Sequence, residues 1–171
     1  TNLSALEFED LVTLSDVTTV LQRSQMVNRI AKEIERYVVQ LGSEGRLVKM
    51  QLEELLADIK DQGLLVFKDY YVGENLAEAW SQMEEWDSDD FLNVGMLSKA
   101  LGYSSISSLE QPAAARGYRI LAKIPRLPMP VIENLVDAFG SLSAIMDATI
   151  EELDDVEGIG EVRAKAIRDG L

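Results

Sequence analysis

Apolar residues recur at three- and four-residue steps through nearly every segment of this chain, and that period commits it to α-helix. From Val17 the series Val20, Leu21, Val27, Ile30, Ala31, Ile34, Val38 and Leu41 lies on one face of a long helix, with Ser15 or Asp16 as its N-cap. Gly42-Ser43-Glu44-Gly45 interrupts the pattern. A second helix runs through Leu47, Leu52, Leu55, Leu56 and Ile59 and is expected to stop near Gly63. Two long amphipathic helices joined this tightly pack as a hairpin or form a stalk. Residues 64–72 are β-branched and aromatic, yet no second strand candidate exists to pair with them, so they read as helix or extended linker. Further helices are expected over 75–85 and 89–101, the latter capped by Asp87 or Ser88 and ended by Gly102. The small, polar stretch 103–115 marks a boundary, giving a helical spine over 1–110 and a second domain over 111–171.

That second domain matches itself at one constant offset: Leu121 answers Leu153, Ile124 Val156, Leu127 Ile159, Ile132 Ala164 and Leu135 Ile167. Each unit reads as short helix, tight turn, second helix, with a connecting helix from Leu142 to about Asp147. Thr149-Ile150-Glu151-Glu152 is a capping box that starts the second unit. The fold class is therefore all-α, a helical spine or bundle followed by a tandem helix-hairpin-helix domain.

The turns carry the chemistry. Gly158 and Gly160 bracket Ile159, which can point inward and lock two helices together. The next helix begins near Glu161, so its free N–H groups and positive dipole end lie beside the glycines, an arrangement suited to an anion. A phosphate would gain about 1.5–3 kcal/mol per charge-assisted bond before desolvation. Such contacts touch no base and read no sequence. In the first unit the turn is Pro125-Arg126-Leu127-Pro128, so both glycine positions are filled by other residues, and this hairpin either docks more weakly, through Arg126, or serves only to brace its partner. Arg163 is a further contact. Lys165 follows Glu161 by four residues, so an ion pair on the helix surface explains it as well as a phosphate does. Arg168, in a last helical turn, suits the dipole. Arg116, Arg119 and Lys123 join Arg126 in a basic cluster entering the first hairpin. Glu157 and Glu161 flank the glycine turn and repel phosphate, which implies modest affinity and steep salt dependence.

Composition excludes several functions. The chain has no histidine and no cysteine, which removes the commonest general base, thiolate metal sites and Ser-His or Cys-His nucleophile pairs. No catalytic constellation is visible and no metal site is expected: Asp87, Asp89 and Asp90 read as an acidic helix start and lack the EF-hand spacing. Trp80 and Trp86 read as core or interface anchors. The net charge of -14 is uneven, with 9 basic and 20 acidic side chains over 1–115 and 7 and 10 over 116–171. The acidity sits away from the hairpins. No apolar run approaches the ~20 residues a membrane span needs. The first dozen residues are acidic, unlike a signal peptide, and the chain begins at Thr1 rather than methionine, so a soluble cytoplasmic protein, or an excised piece of one, is expected.

The runs Arg116-Gly117-Tyr118-Arg119-Ile120-Leu121-Ala122-Lys123-Ile124-Pro125-Arg126-Leu127-Pro128 and Glu152-Leu153-Asp154-Asp155-Val156-Glu157-Gly158-Ile159-Gly160-Glu161-Val162-Arg163-Ala164 resemble the C-terminal region of the DNA-integrity scanning diadenylate cyclases. Leu41-Gly42-Ser43-Glu44-Gly45-Arg46-Leu47-Val48 is similar to that family's helical spine. The resemblance implies a spine plus a DNA-binding domain. The family's N-terminal domain makes cyclic di-AMP from ATP with a divalent metal, through Asp-Gly-Ala and Arg-His-Arg motifs that do not occur here. It further implies branched DNA as a partner, a cyclase domain elsewhere in the protein, an octamer built through those domains, and no cofactor in this segment. The competing expectation is a structural or oligomerisation module whose hairpins pack against protein.

Overall fold

The computed structural model describes residues 13–104, 110 and 112–171, and among them there is no strand, only an isolated bridge between Thr13 and Pro112. The chain is all-α. The first helix, α1 (Leu14–Val39), starts earlier than the apolar series suggests: Thr13 is its N-cap, and Asp16 closes a capping box onto Thr13 instead of capping the helix itself. A 3-10 turn at Gly42–Gly45 reverses the chain into α2 (Arg46–Tyr70). The two pack as an antiparallel hairpin.

The stop expected near Gly63 does not occur, and α2 continues to Tyr70. Gly63 serves close packing instead: a Cβ there would sit 3.3 Å from Ser24 Oγ and 3.9 Å from the Trp80 ring. The strand-like stretch 64–72 is thus helical as far as Tyr70, and its bulky residues form the first core. Val66, Phe67, Tyr70 and Tyr71 are all buried, against Leu14, Val17 and Leu21 of α1. Tertiary burial here overrides local β preference.

Short helices close this core. Asn75 caps α3 (Leu76–Glu84), and Asp87 caps α4 (Ser88–Leu92) in a box with Asp90, so the acidic cluster is a helix start. The single helix expected over 89–101 is two, because Asn93 leaves the helical conformation and caps α5 (Val94–Ala100) through its side chain to Met96 N–H. Phe67 stacks with Tyr71 and packs against Trp80, while Trp86 meets Phe91 edge-on.

A second core belongs to α6 (Tyr118–Leu121), α7 (Met129–Phe139), α8 (Leu142–Asp147), α9 (Ile150–Asp154) and α10 (Glu161–Gly170). Every paired residue of the internal repeat lies in or against this core. Leu121, Leu153, Leu135, Ile167 and Ala164 are fully buried. Each large one contributes about 1.5–3 kcal/mol. The capping box of Thr149 and Glu152 starts α9 as the sequence indicates.

The two cores are joined by the end of α2. Asp69 is 3 % exposed and caps α6, accepting from Gly117 N–H at 3.0 Å, Tyr118 N–H at 2.6 Å and Arg119 N–H at 3.4 Å. Its carbonyl accepts from Arg116 N–H. Leu65 packs into the second core, and Lys68 lies over the Tyr118 ring and pairs with Glu133 at 3.5 Å.

Candidate nucleic-acid interface

Gly158 has φ 86, a left-handed backbone that a glycine adopts without strain. It sits against Val131 of α7, whose Cγ2 would be 3.1 Å from any Cβ placed there. Two carbonyls of the turn are held from inside the protein. Asn134 of α7 donates to Glu157 O at 3.0 Å, and the Arg163 guanidinium donates to Gly158 O at 2.6 Å. Ile159 is buried in the core as its position implies. Gly160, the N-cap of α10, has no side chain to cap the helix, and a Cβ on it would meet nothing within 4 Å. The N–H groups of Glu161, Val162 and Arg163 therefore open outward with no acceptor among the described residues.

The first hairpin repeats this backbone in different chemistry. Arg126, which answers Gly158 in the repeat, has φ 63, the only positive φ outside glycine among the described residues. Pro128 takes the N-cap place of Gly160 with the same extended conformation. Pro130 has no N–H, and Val131 N–H already bonds to Pro128 O, so Met129 alone is left with a donor at this helix start. The turn keeps its shape and loses most of its anion-binding donors.

The basic side chains divide into two groups. Arg126 and Lys123 are exposed at the first hairpin. Lys165 is exposed and pairs with Glu161 at 2.8 Å, and its hydrogen bond holds the Glu161 carboxyl below the ordinary range. Arg163 is exposed but spans its own turn. Arg168 reaches back to the Met146 and Ala148 carbonyls, finishing α8. Arg119 corrects the sequence expectation. It is 5 % exposed, beside the Asp69 carboxylate, because the capping of α6 draws this first turn against α2. Its place is the joint between the two cores rather than the outer surface.

Three features escaped the sequence. Asp69 is one: burial raises its pKa to about 6, against the opposing pull of the Tyr118, Arg119 and Gly117 N–H groups and the Arg119 charge. Asn134, anchoring the opposite turn, is another. The third is Val162, 83 % exposed beside the free donors of α10, where the nearby cations Arg163 and Lys165 are turned onto the protein. Its only sequence signal is its place two residues after Gly160. Among the described residues no group of His, Cys, Asp or Glu is arranged to hold a metal ion.

Residues 1–110 match the DisA bacterial checkpoint controller linker region, and residues 141–170 match the helix-hairpin-helix motif. The chain is 58 % identical over 173 residues to the DNA integrity scanning protein DisA of Carboxydothermus hydrogenoformans, covering 99 % of this chain and 49 % of that protein. The corresponding proteins of Symbiobacterium thermophilum and Clostridium perfringens are 52 % and 50 % identical, again over 99 % of this chain and 48 % of theirs. The chain thus spans about half the length of the curated relatives it matches. No helix among the described residues is long and apolar enough to cross a membrane.

Proposed function

The chain belongs to the DisA family, of which it carries the linker region and the helix-hairpin-helix motif, and on that premise we propose that it binds DNA without reading sequence. The carrying observation is the glycine turn of the second hairpin. Three outward N–H groups at the start of α10 and an open Gly160 form a surface shaped for a phosphate oxygen. Arg126 and Lys123, on the first hairpin, add side-chain contacts in place of the donors lost to proline. Arg163 acts first by fixing the turn, and Lys165 contacts phosphate only by leaving Glu161.

In this reading the DNA is branched, as at a recombination junction, and the complete protein works in the cytoplasm as a homo-oligomer. The chain itself is not catalytic. Its spine carries DNA occupancy to a cyclase domain that makes cyclic di-AMP from ATP and a divalent metal. The joint at Asp69 supports that role, since it ties the hairpins to the spine by hydrogen bonds rather than by a loose connection.

Titrating a labelled four-way junction and a matched duplex at two salt concentrations tests the proposal. Junction binding that weakens steeply with salt is the expected result. Absence of binding at low salt by a folded chain overturns it.

A protein contact beside DNA binding is supported at the far end of the spine, where Ile30, Ile34, Tyr37, Leu41 and Leu47 are exposed. This reading places contacts with the rest of the protein there and leaves the hairpins to DNA.

A further inference from the structure

A cavity of about 520 Å³ lies between the α1–α2 hairpin and the α3–α4 segment, within the size range of small-ligand sites and between packed helices where such sites form. Its walls include Trp80 and Trp86, the only tryptophans in the chain. Both are half-buried, and each packs on another ring, Trp80 on Phe67 at 5.3 Å and Trp86 edge-on to Phe91, itself part of the wall, at 5.4 Å. The indoles therefore offer fixed aromatic surface to the cavity. One face of α1 contributes Gln25, Asn28 and Lys32, spaced by three and four residues. The two amides are half-buried, and none of these three side chains has a hydrogen bond or ion pair among the described residues. Lys60 across the cavity is committed to Glu84 at 2.7 Å.

We infer that this cavity binds a planar heteroaromatic anion of the nucleoside monophosphate class. Indole faces stack on a base of any kind. A side-chain amide presents a donor and an acceptor side by side, which is the pattern an adenine edge complements. The unengaged Lys32 ammonium at the rim suits one phosphate. A purely apolar occupant would cover the two half-buried amides without satisfying either. A more highly charged nucleotide would meet Glu84 on the same wall and the acidity of the chain as a whole. The site shares no residue with the hairpins, so it stands or falls independently of DNA binding.

Because both tryptophans line the cavity, intrinsic fluorescence of the full chain reports directly on occupancy. AMP should quench it saturably, ribose 5-phosphate, which lacks the ring, should not, and Lys32→Glu should raise the AMP midpoint roughly tenfold or more. Asn28→Leu, at a half-buried position, should do the same with circular dichroism unchanged. Absence of a saturable response to AMP in folded protein overturns the inference. So does an unaltered midpoint in both variants, or an equal response to ribose 5-phosphate.

Discussion

Arg126 and Gly158 hold equivalent places at the apices of the two hairpins and share a left-handed backbone, φ 63 and φ 86. An arginine in that conformation is strained by about 1–2 kcal/mol, while a glycine is not. Arg126→Gly should accordingly leave the protein slightly more stable, by up to about 1 kcal/mol after the added chain entropy of glycine. The same change removes a cation, so DNA affinity should fall and the slope of log K against log salt should shrink by about one. Urea unfolding and a salt titration read the two effects, which run in opposite directions. A DNA affinity that stays constant would remove Arg126 from the interface.

The two glycines of the second turn separate folding from binding. Gly160 has ordinary backbone and open space, so Gly160→Ala should leave unfolding unchanged while covering the donors of α10 and weakening DNA about tenfold. Gly158→Ala should cost stability as well, through its positive φ and the contact with Val131. Paired melts and electrophoretic shifts distinguish them. Wild-type DNA affinity in Gly160→Ala would show that the backbone there meets no phosphate.

Val162 offers a gain-of-function test. Its side chain is exposed beside free N–H groups and takes no part in packing. Val162→Lys should raise DNA affinity several-fold at low salt and steepen the salt slope by about one. Val162→Asp should abolish binding with the fold intact. If both variants bind as the parent does, DNA does not approach this helix start.

Asp69 makes a prediction in pH. Its folded pKa, about 6, exceeds the ordinary 3.8, so the folded state holds the proton more tightly than the unfolded one between those values. Stability contributed by this group therefore falls as pH rises from about 4 to about 6, by about 3 kcal/mol, and is level above. Asp69→Asn keeps a carbonyl acceptor for the α6 N–H groups without the titration. Denaturant unfolding at several pH values should show the wild-type minus variant difference changing across that window. A difference that does not vary with pH would mean that Asp69 ionises freely.

Much of this was legible in the residues. The repeat predicted which side chains fill the second core, because a helix buries its face at fixed steps and the two units bury the same steps. The glycine turn and the Thr149 box announced themselves through residues used for few other purposes. Arg126 did not reveal its backbone, since an arginine gives no sign of a left-handed conformation imposed by its neighbours. Arg119 looked like surface because its burial depends on Asp69, which is remote in the chain and belongs to a helix of the other core. Asp69 in turn sits in an apolar run where nothing local marks a cap. The break at Asn93 was hidden by continuous apolar spacing on either side.

The cap that Asp69 places on α6 also converts a linear distance into an angle. The hairpins are keyed to the last turns of α2, through Asp69 with Lys68 and Leu65 beside it, and an α-helix turns about 100° per residue. One residue inserted between Gly45 and Asp69 would advance the hairpin turns by about 1.5 Å yet swing them through about a quarter of a circle relative to the far end of the spine. Seven would nearly restore the bearing. The length of α2 thus works as a phase setting, and the bearing of the hairpins is written in the residue count of the helix that carries them.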